Sequence, residues 1–77
     1  MKNLLEILEN LHPEVDYKLC DTLIDDNIFD SFDIVSLISE IDDVFDVTIE
    51  AHHITPENFN SAESIYNLIE ELKEEKY

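Results

Sequence analysis

The sequence of 77 residues contains no glycine and no arginine, and it has a single cysteine. Without glycine, the acidic run that includes Asp25 and Asp26 cannot form an EF-hand calcium loop, which needs a glycine at its sharp turn. Asn27 then becomes the best candidate for a left-handed backbone conformation in the turn that these residues predict. Cys20 has no second cysteine with which to form an internal disulfide, and we interpret it as a small buried apolar residue of a loop.

Positive charge is also scarce. The chain has 20 acidic residues against 4 basic ones, which gives a formal net charge of −16. Such a surface repels nucleic acid and anionic membranes and attracts basic protein partners. No apolar run approaches the length of a membrane span, so we expect no stable membrane insertion.

This excess of negative charge leads to a prediction about stability. Because like charges repel each other in the folded state, we expect added salt or divalent cations to raise the melting temperature. Thermal unfolding followed from low to moderate salt tests this expectation. A melting temperature that stays constant over that range contradicts it.

The length predicts a single domain over residues 1–77, too small to enclose a deep catalytic pocket. Hydrophobic residues make up 44% of the chain, which is enough for a folded core. The amino terminus Met1-Lys2-Asn3 leads directly into a charged amphipathic stretch without the apolar segment of a signal peptide. We therefore expect a cytoplasmic, monomeric protein with no catalytic residues.

Apolar residues at helical spacing predict an all-α fold. The first dozen residues form an amphipathic helix that Pro13 ends, and a long loop without sustained periodicity extends to Asp30. A second helix is predicted from about Ser31 to Phe45, with Asp30 as its N-cap. The four phenylalanines are expected to be shared core anchors: Phe29, Phe32, Phe45 and Phe59.

The remaining third of the chain predicts one short and one long helix. Thr55 followed by proline predicts a helical turn over residues 56–59. Asn60 and Glu63 resemble a capping box at the start of a last helix, whose negative end suits Lys73 and Lys76. The predicted architecture is a small four-helix bundle, with three main helices, one short helix and a long first loop.

Asp30-Ser31-Phe32-Asp33 is the most informative stretch, because it places a hydroxyl at the first turn of an amphipathic helix. The first N–H groups of a helix have no partner within it, and they carry the positive end of the helix dipole. An anion attached at Ser31 would therefore be stabilised there. A helix cap alone also explains these residues.

The segment over residues 23–33, Leu-Ile-Asp-Asp-Asn-Ile-Phe-Asp-Ser-Phe-Asp, resembles the phosphopantetheine attachment region of the acyl and peptidyl carrier proteins. The similarity covers essentially the whole chain. Members of that family have a long first loop, an Asp-Ser-Leu motif that opens an acidic second helix, a short third helix and a closing helix.

The resemblance implies that Ser31 is esterified by 4′-phosphopantetheine from coenzyme A, whose thiol carries an acyl or aminoacyl group as a thioester. Asp30 would cap the helix and help to present Ser31 to a phosphopantetheinyl transferase and its magnesium. A loading ligase or acyltransferase would then charge the thiol, and acyltransferases or synthases would use the cargo. A carrier of this kind needs no general base and is not an enzyme.

In this family, partner docking is attributed to acidic and apolar positions on the outer face of the second helix. The matching positions are Asp33, Ser36, Ser39, Asp42 and Asp43. Ser36 and Ser39 stand where fatty-acid carriers commonly have Glu and Met, and Phe32 stands where they have Leu. These differences favour a carrier dedicated to a specialised pathway, such as a D-alanyl carrier, among the fatty acid, polyketide, peptide and D-alanyl pathways that use the family.

One other interpretation of the function stays open. The acidic surface could belong to a non-enzymatic adaptor or inhibitor that binds a basic partner. His52 and His53 are adjacent and have no Cys or carboxylate at ligand spacing, so we expect exposed polar residues there and no metal site.

Overall fold

Residues 2–76 form four α-helices and one 3₁₀ turn, with no β-strand among them. The computed structural model describes these residues, with side chains over residues 2–74. The elements in chain order are α1 (Lys2–Leu11), α2 (Ser31–Phe45), the 3₁₀ turn (Ala51–His53), α3 (Pro56–Phe59) and α4 (Ala62–Lys76). The all-α prediction, with three longer helices, one short helix and a long first loop, is therefore confirmed.

Helix α1 supplies one wall of the core. Its buried residues Leu4, Ile7 and Leu8 recur at helical spacing and face α2 and α4, against which α1 packs. The helix ends two residues before Pro13, whose ring cannot continue it. The loop over residues 12–30 follows, and Asn27 has the left-handed conformation that the sequence predicts, with φ 55°.

Asn60, between α3 and α4, forms hydrogen bonds with this long loop. Its side-chain Oδ1 accepts hydrogen bonds from the backbone N–H groups of Ile24 and Asp25, at 3.0 and 3.1 Å. Its backbone carbonyl accepts a third, from the N–H of Leu23 at 3.0 Å. The loop is thereby held against the junction between α3 and α4, which keeps the chain before Asp30 close to the core.

Helix α2 has the predicted bounds and a buried stripe of Ile34, Leu37 and Ile41. At its carboxyl end Asp46 adopts a left-handed conformation with φ 57°, and its N–H donates to the carbonyl of Asp42 at 3.0 Å. A left-handed C-cap is the ordinary end of a helix, but glycine is the residue that usually takes it. No local pattern predicts this conformation at an aspartate.

The short helix α3 also has its predicted bounds and cap. The N–H of Asn58 donates to Thr55 Oγ1 at 3.3 Å, and Pro56 occupies the first turn. The predicted cap of the last helix is wrong by one residue. Ser61 accepts from the N–H of Ser64 at 3.1 Å, while the N–H of Ser61 donates to Ser64 Oγ at 3.2 Å.

The hydrophobic core joins all four helices and the link before the 3₁₀ turn. Phe29 and Phe59 are buried in it and Phe45 is half-buried against it, as predicted. Phe32 is 81% exposed, so its prediction as a core anchor is wrong. The buried residues are Leu4, Ile7, Leu8, Tyr17, Leu23, Phe29, Ile34, Leu37, Ile41, Val47, Ile49, Phe59, Ala62, Ile65, Leu68 and Ile69.

Candidate functional site

Ser31 is the first residue of α2, and it is exposed. The backbone of Asp30 is extended, with φ −87° and ψ −178°, so the helical conformation begins at Ser31. No hydrogen bond from the hydroxyl to another described residue is present. The side chain is therefore open to a modifying enzyme, next to the unpaired N–H groups of the first turn.

Two carboxylates form a capping box around Ser31. The N–H of Asp33 donates to Asp30 Oδ1 at 2.9 Å, and the N–H of Asp30 donates to Asp33 Oδ2 at 3.4 Å. Both bonds place negative charge at the positive end of the helix dipole, which is favourable. The prediction that Asp30 caps α2 is confirmed, and the box fixes the backbone on either side of Ser31.

His12 reaches the same carboxylate from the end of α1. Its Nε2 lies 2.7 Å from Asp33 Oδ2, and its Nδ1 lies 2.8 Å from Glu14 Oε1. The side chains of His12 and Asp33 are each 23% exposed. Asp33 is therefore half-buried and hydrogen-bonded to His12, and its role in partner docking stays a prediction.

An aromatic cluster holds the imidazole of His12 in place. The ring stacks on Phe29, with centroids 5.1 Å apart and an interplanar angle of 25°. The Tyr17 hydroxyl donates to the carbonyl oxygens of Leu8 and His12, at 2.7 and 2.9 Å, and its ring meets Phe29 edge-on. Burial raises the pKa of Tyr17 to about 12, which keeps this hydroxyl a donor.

The contact between His12 and Asp33 changes the proton affinity of both groups. The hydrogen bond to Asp33, and then that to Glu14, raises the pKa of His12 above its ordinary value. The same bond to His12 lowers the pKa of Asp33. Each group thus favours the charged form of the other, as expected of an ion pair.

His12 is a site residue that the sequence alone does not predict. The histidine lies 21 residues from Asp33, and no motif links the two positions. One local signal was present. His12 directly precedes Pro13, where α1 must end, so its polar side chain can contact a neighbouring element.

We expect His12→Gln to lower the free energy of unfolding by about 1 kcal/mol at pH ~6, because a hydrogen bond between charged groups is lost at a partly exposed site. The pKa of His12 is raised on folding, so its contribution is fully present below the pKa of the unfolded chain and is lost as pH rises through the folded-state pKa. The pKa of Asp33 is lowered, so its contribution is lost as pH falls through that value.

Urea unfolding curves of the wild type and His12→Gln over a series of pH values measure this difference. It should be largest in mildly acidic buffer and small well above neutrality. His52→Gln is the matched control, because His52 is 70% exposed and its replacement should change stability little at any pH. A difference for His12→Gln that does not vary with pH contradicts the ion pair.

The outer face of α2 divides into an apolar part beside Ser31 and an acidic part further along. Phe32 is 81% exposed and Val35 67% exposed, within the first turns. They lie on the side opposite the buried stripe. Of the predicted docking positions, Asp33 and Ser36 are half-buried, whereas Ser39, Asp42 and Asp43 are exposed. An open depression in the acidic part is lined by Ser39, Glu40, Asp42, Asp43 and Asp46.

The remaining candidates do not form a site. Among the side chains described, those of residues 2–74, no three His, Cys, Asp or Glu are grouped so as to hold a metal ion. The rings of His52 and His53 lie 4.0 Å apart, and the Nδ1 of His53 accepts from the N–H of Glu50 at 3.1 Å. Cys20 is half-buried, with its sulfur 3.9 Å from the hydroxyl of Thr22.

No helix among the described residues is both long enough and apolar enough to cross a bilayer. Searches of protein-family models and of curated protein sequences find no match to the chain.

Proposed function

We propose that this protein is a carrier that bears 4′-phosphopantetheine on Ser31 and transports acyl or aminoacyl thioesters between enzymes. One observation carries the proposal: the Ser31 hydroxyl is exposed at the first residue of a capped helix, in a chain whose order of helices and loop resembles the carrier proteins.

The residues around Ser31 suit a phosphodiester. The unpaired N–H groups of the first turn and the positive end of the α2 dipole favour an anion at this position. No side chain has to move to expose the hydroxyl, because Asp30 and Ser31 both face solvent. A transferase would form the bond between Ser31 Oγ and the phosphorus of phosphopantetheine, take up the serine proton and release the nucleotide part of coenzyme A.

The protein itself performs no reaction under this proposal. The bound arm supplies a thiol that carries the cargo as a thioester. The chain supplies the attachment point and a surface that partner enzymes recognise. A tether of this kind gives each partner a high local concentration of the attached group, which is how a small domain without a catalytic pocket can contribute to a biosynthetic pathway.

The outer face of α2 is the docking surface of this proposal. Phe32 and Val35 present apolar area beside Ser31, and Asp42 and Asp43 present negative charge about three turns further along the helix. A partner with an apolar pocket and a basic rim is complementary to this arrangement. Phosphopantetheinyl transferase, a loading ligase and downstream acyltransferases or synthases are the partners that the proposal requires.

One experiment tests the proposal. The purified chain is incubated with coenzyme A, magnesium and a broad-specificity phosphopantetheinyl transferase, and its intact mass is recorded. We expect the mass to increase by one phosphopantetheine in the wild type and not at all in Ser31→Ala. Thr48→Ala is the matched control, because it removes an exposed hydroxyl outside the predicted docking positions and the chain should still be modified.

Ser31→Ala should remain folded, since Asp30 still caps α2 and an exposed substitution changes stability by less than about 0.5 kcal/mol. A wild type that gains no mass overturns the carrier proposal. It would favour the alternative, an acidic adaptor or inhibitor of a basic partner, which the formal charge of −16 supports. A variant Ser31→Ala that unfolds would show instead that this serine is structural.

A further inference from the structure

We propose that His12 is a positioning residue for the modification of Ser31, holding the first turn of α2 through Asp33. The inference rests on the proposed function, since it concerns the same hydroxyl. It adds a residue from the end of α1 that is distant in sequence from the attachment motif, and a dependence on pH that the motif alone does not have.

The first step is the protonation state of the imidazole. Both ring nitrogens of His12 face carboxylate oxygens, Asp33 Oδ2 at 2.7 Å and Glu14 Oε1 at 2.8 Å. A neutral imidazole has one N–H donor, so it can donate to only one of these two oxygens and turns a lone pair toward the other. The imidazolium can donate to both, so the two contacts together favour that form.

The second step leads from His12 to Ser31. Asp33 Oδ2 accepts from His12 and also from the N–H of Asp30, while the N–H of Asp33 donates back to Asp30. Ser31 lies between these two aspartates in the chain. An Asp33 side chain held by His12 keeps the capping box closed, and the closed box fixes the backbone that carries the hydroxyl.

Charge adds to this effect. Asp30 and Asp33 put two carboxylates beside Ser31, and the diphosphate of coenzyme A that must approach the hydroxyl is an anion. The imidazolium of His12 offsets one of the two negative charges. When His12 loses its proton, the first turn becomes more negative and one of the two contacts of the ring is lost.

Polar and charged groups of the first loop and of α2 face His12. Glu14 and the hydroxyl of Tyr17 come from the first loop, and Asp33 comes from α2. Phe29 covers one side of the ring without charge. The acidic side chains that line the same open groove next to His12 are Glu14, Asp16 and Asp26. Of these carboxylates, Asp33 and Glu14 favour the protonated ring.

The test compares rates of Ser31 modification in the wild type, His12→Gln and His52→Gln across a pH series. At each pH the rate of a variant is divided by the wild-type rate under the same transferase, which cancels the pH dependence of the transferase itself. We expect His12→Gln to be about fivefold slower at pH ~6, in kcat or kcat/KM, because a charged hydrogen bond that holds the site is missing. The ratio should approach one as the pH rises through the folded-state pKa of His12, because the wild-type ring then loses its proton.

Two control variants accompany this comparison. His52→Gln should follow the wild type at every pH, because its side chain is 70% exposed. Asp33→Asn should abolish the effect of His12→Gln in the double variant, since His12 acts through Asp33. A ratio for His12→Gln that is the same at every pH overturns the proposal and leaves His12 as a structural residue.

A second measurement does not depend on any variant or on the transferase. In amide NMR spectra of the wild type, the resonances of Asp30 and Asp33 should shift with the same midpoint as the ring protons of His12. Amide resonances that do not follow that titration overturn the positioning role. A wild type that is never modified would instead defeat the carrier proposal, and the NMR result would still report whether His12 controls the first turn.

Discussion

Replacing Phe59 by alanine is expected to lower the free energy of unfolding by about 3–5 kcal/mol, which is most of the stability that a domain of this size can have. Phe59 is fully buried and is the only buried residue of α3. Helix α3 has four residues and cannot be stable alone, so its position depends on this ring packed against α4. Urea unfolding followed by circular dichroism measures the loss.

Phe45→Ala serves as the matched control, because that ring is half-buried at the end of α2 and should cost clearly less. The repulsion among the acidic residues makes the result sensitive to salt, so both variants are compared at one moderate ionic strength. An unfolding curve of Phe59→Ala that matches the wild type would contradict the packing described for α3.

Replacing Phe32 by alanine is expected to reduce kcat/KM of the transferase for the chain by about tenfold, because exposed aromatic residues at the centre of an interface carry much of its binding energy. The same change should leave the free energy of unfolding within about 0.5 kcal/mol of the wild type, since the ring is 81% exposed. Initial rates at several concentrations of the chain measure the first effect, and urea unfolding measures the second.

Val44→Ala is the control for this prediction. Val44 is also an exposed apolar residue of α2, 46% exposed, but it lies 13 positions from Ser31, or about 20 Å along the helix. Its replacement should not change the rate. Equal rates for Phe32→Ala and the wild type would show that the apolar area beside Ser31 does not contact the transferase.

The bounds of the helices could be predicted because their signals are local. Apolar spacing places Ile34, Leu37 and Ile41 on one face, and the residues that cap α2 and α3 precede the helices directly. The same helical period also accounts for the exposure of Phe32. Phe32 lies two residues before Ile34, about 200° around the helix, so the same spacing that predicts the core also places this ring outside.

Two other features, the cap of α4 and the contact of His12 with Asp33, depend on contacts between distant parts of the chain. Asn60 and Ser61 are both good N-cap residues, one position apart, and the choice between them is decided by the first loop, which uses the Asn60 side chain. The pair of His12 and Asp33 depends on how α1 and α2 pack. Sequence spacing cannot show that contact, although it showed the carboxylate and the hydroxyl beside it.

The central claim is that one hydroxyl, that of Ser31, accepts phosphopantetheine. The most direct measurement is fragmentation of the modified chain by mass spectrometry after the reaction with coenzyme A and transferase. We predict that the added mass is found in the fragment that contains Ser31 and in no fragment that contains only Ser36, Ser39, Ser61 or Ser64. An unmodified chain, or an added mass on any of those other serines, would contradict the account.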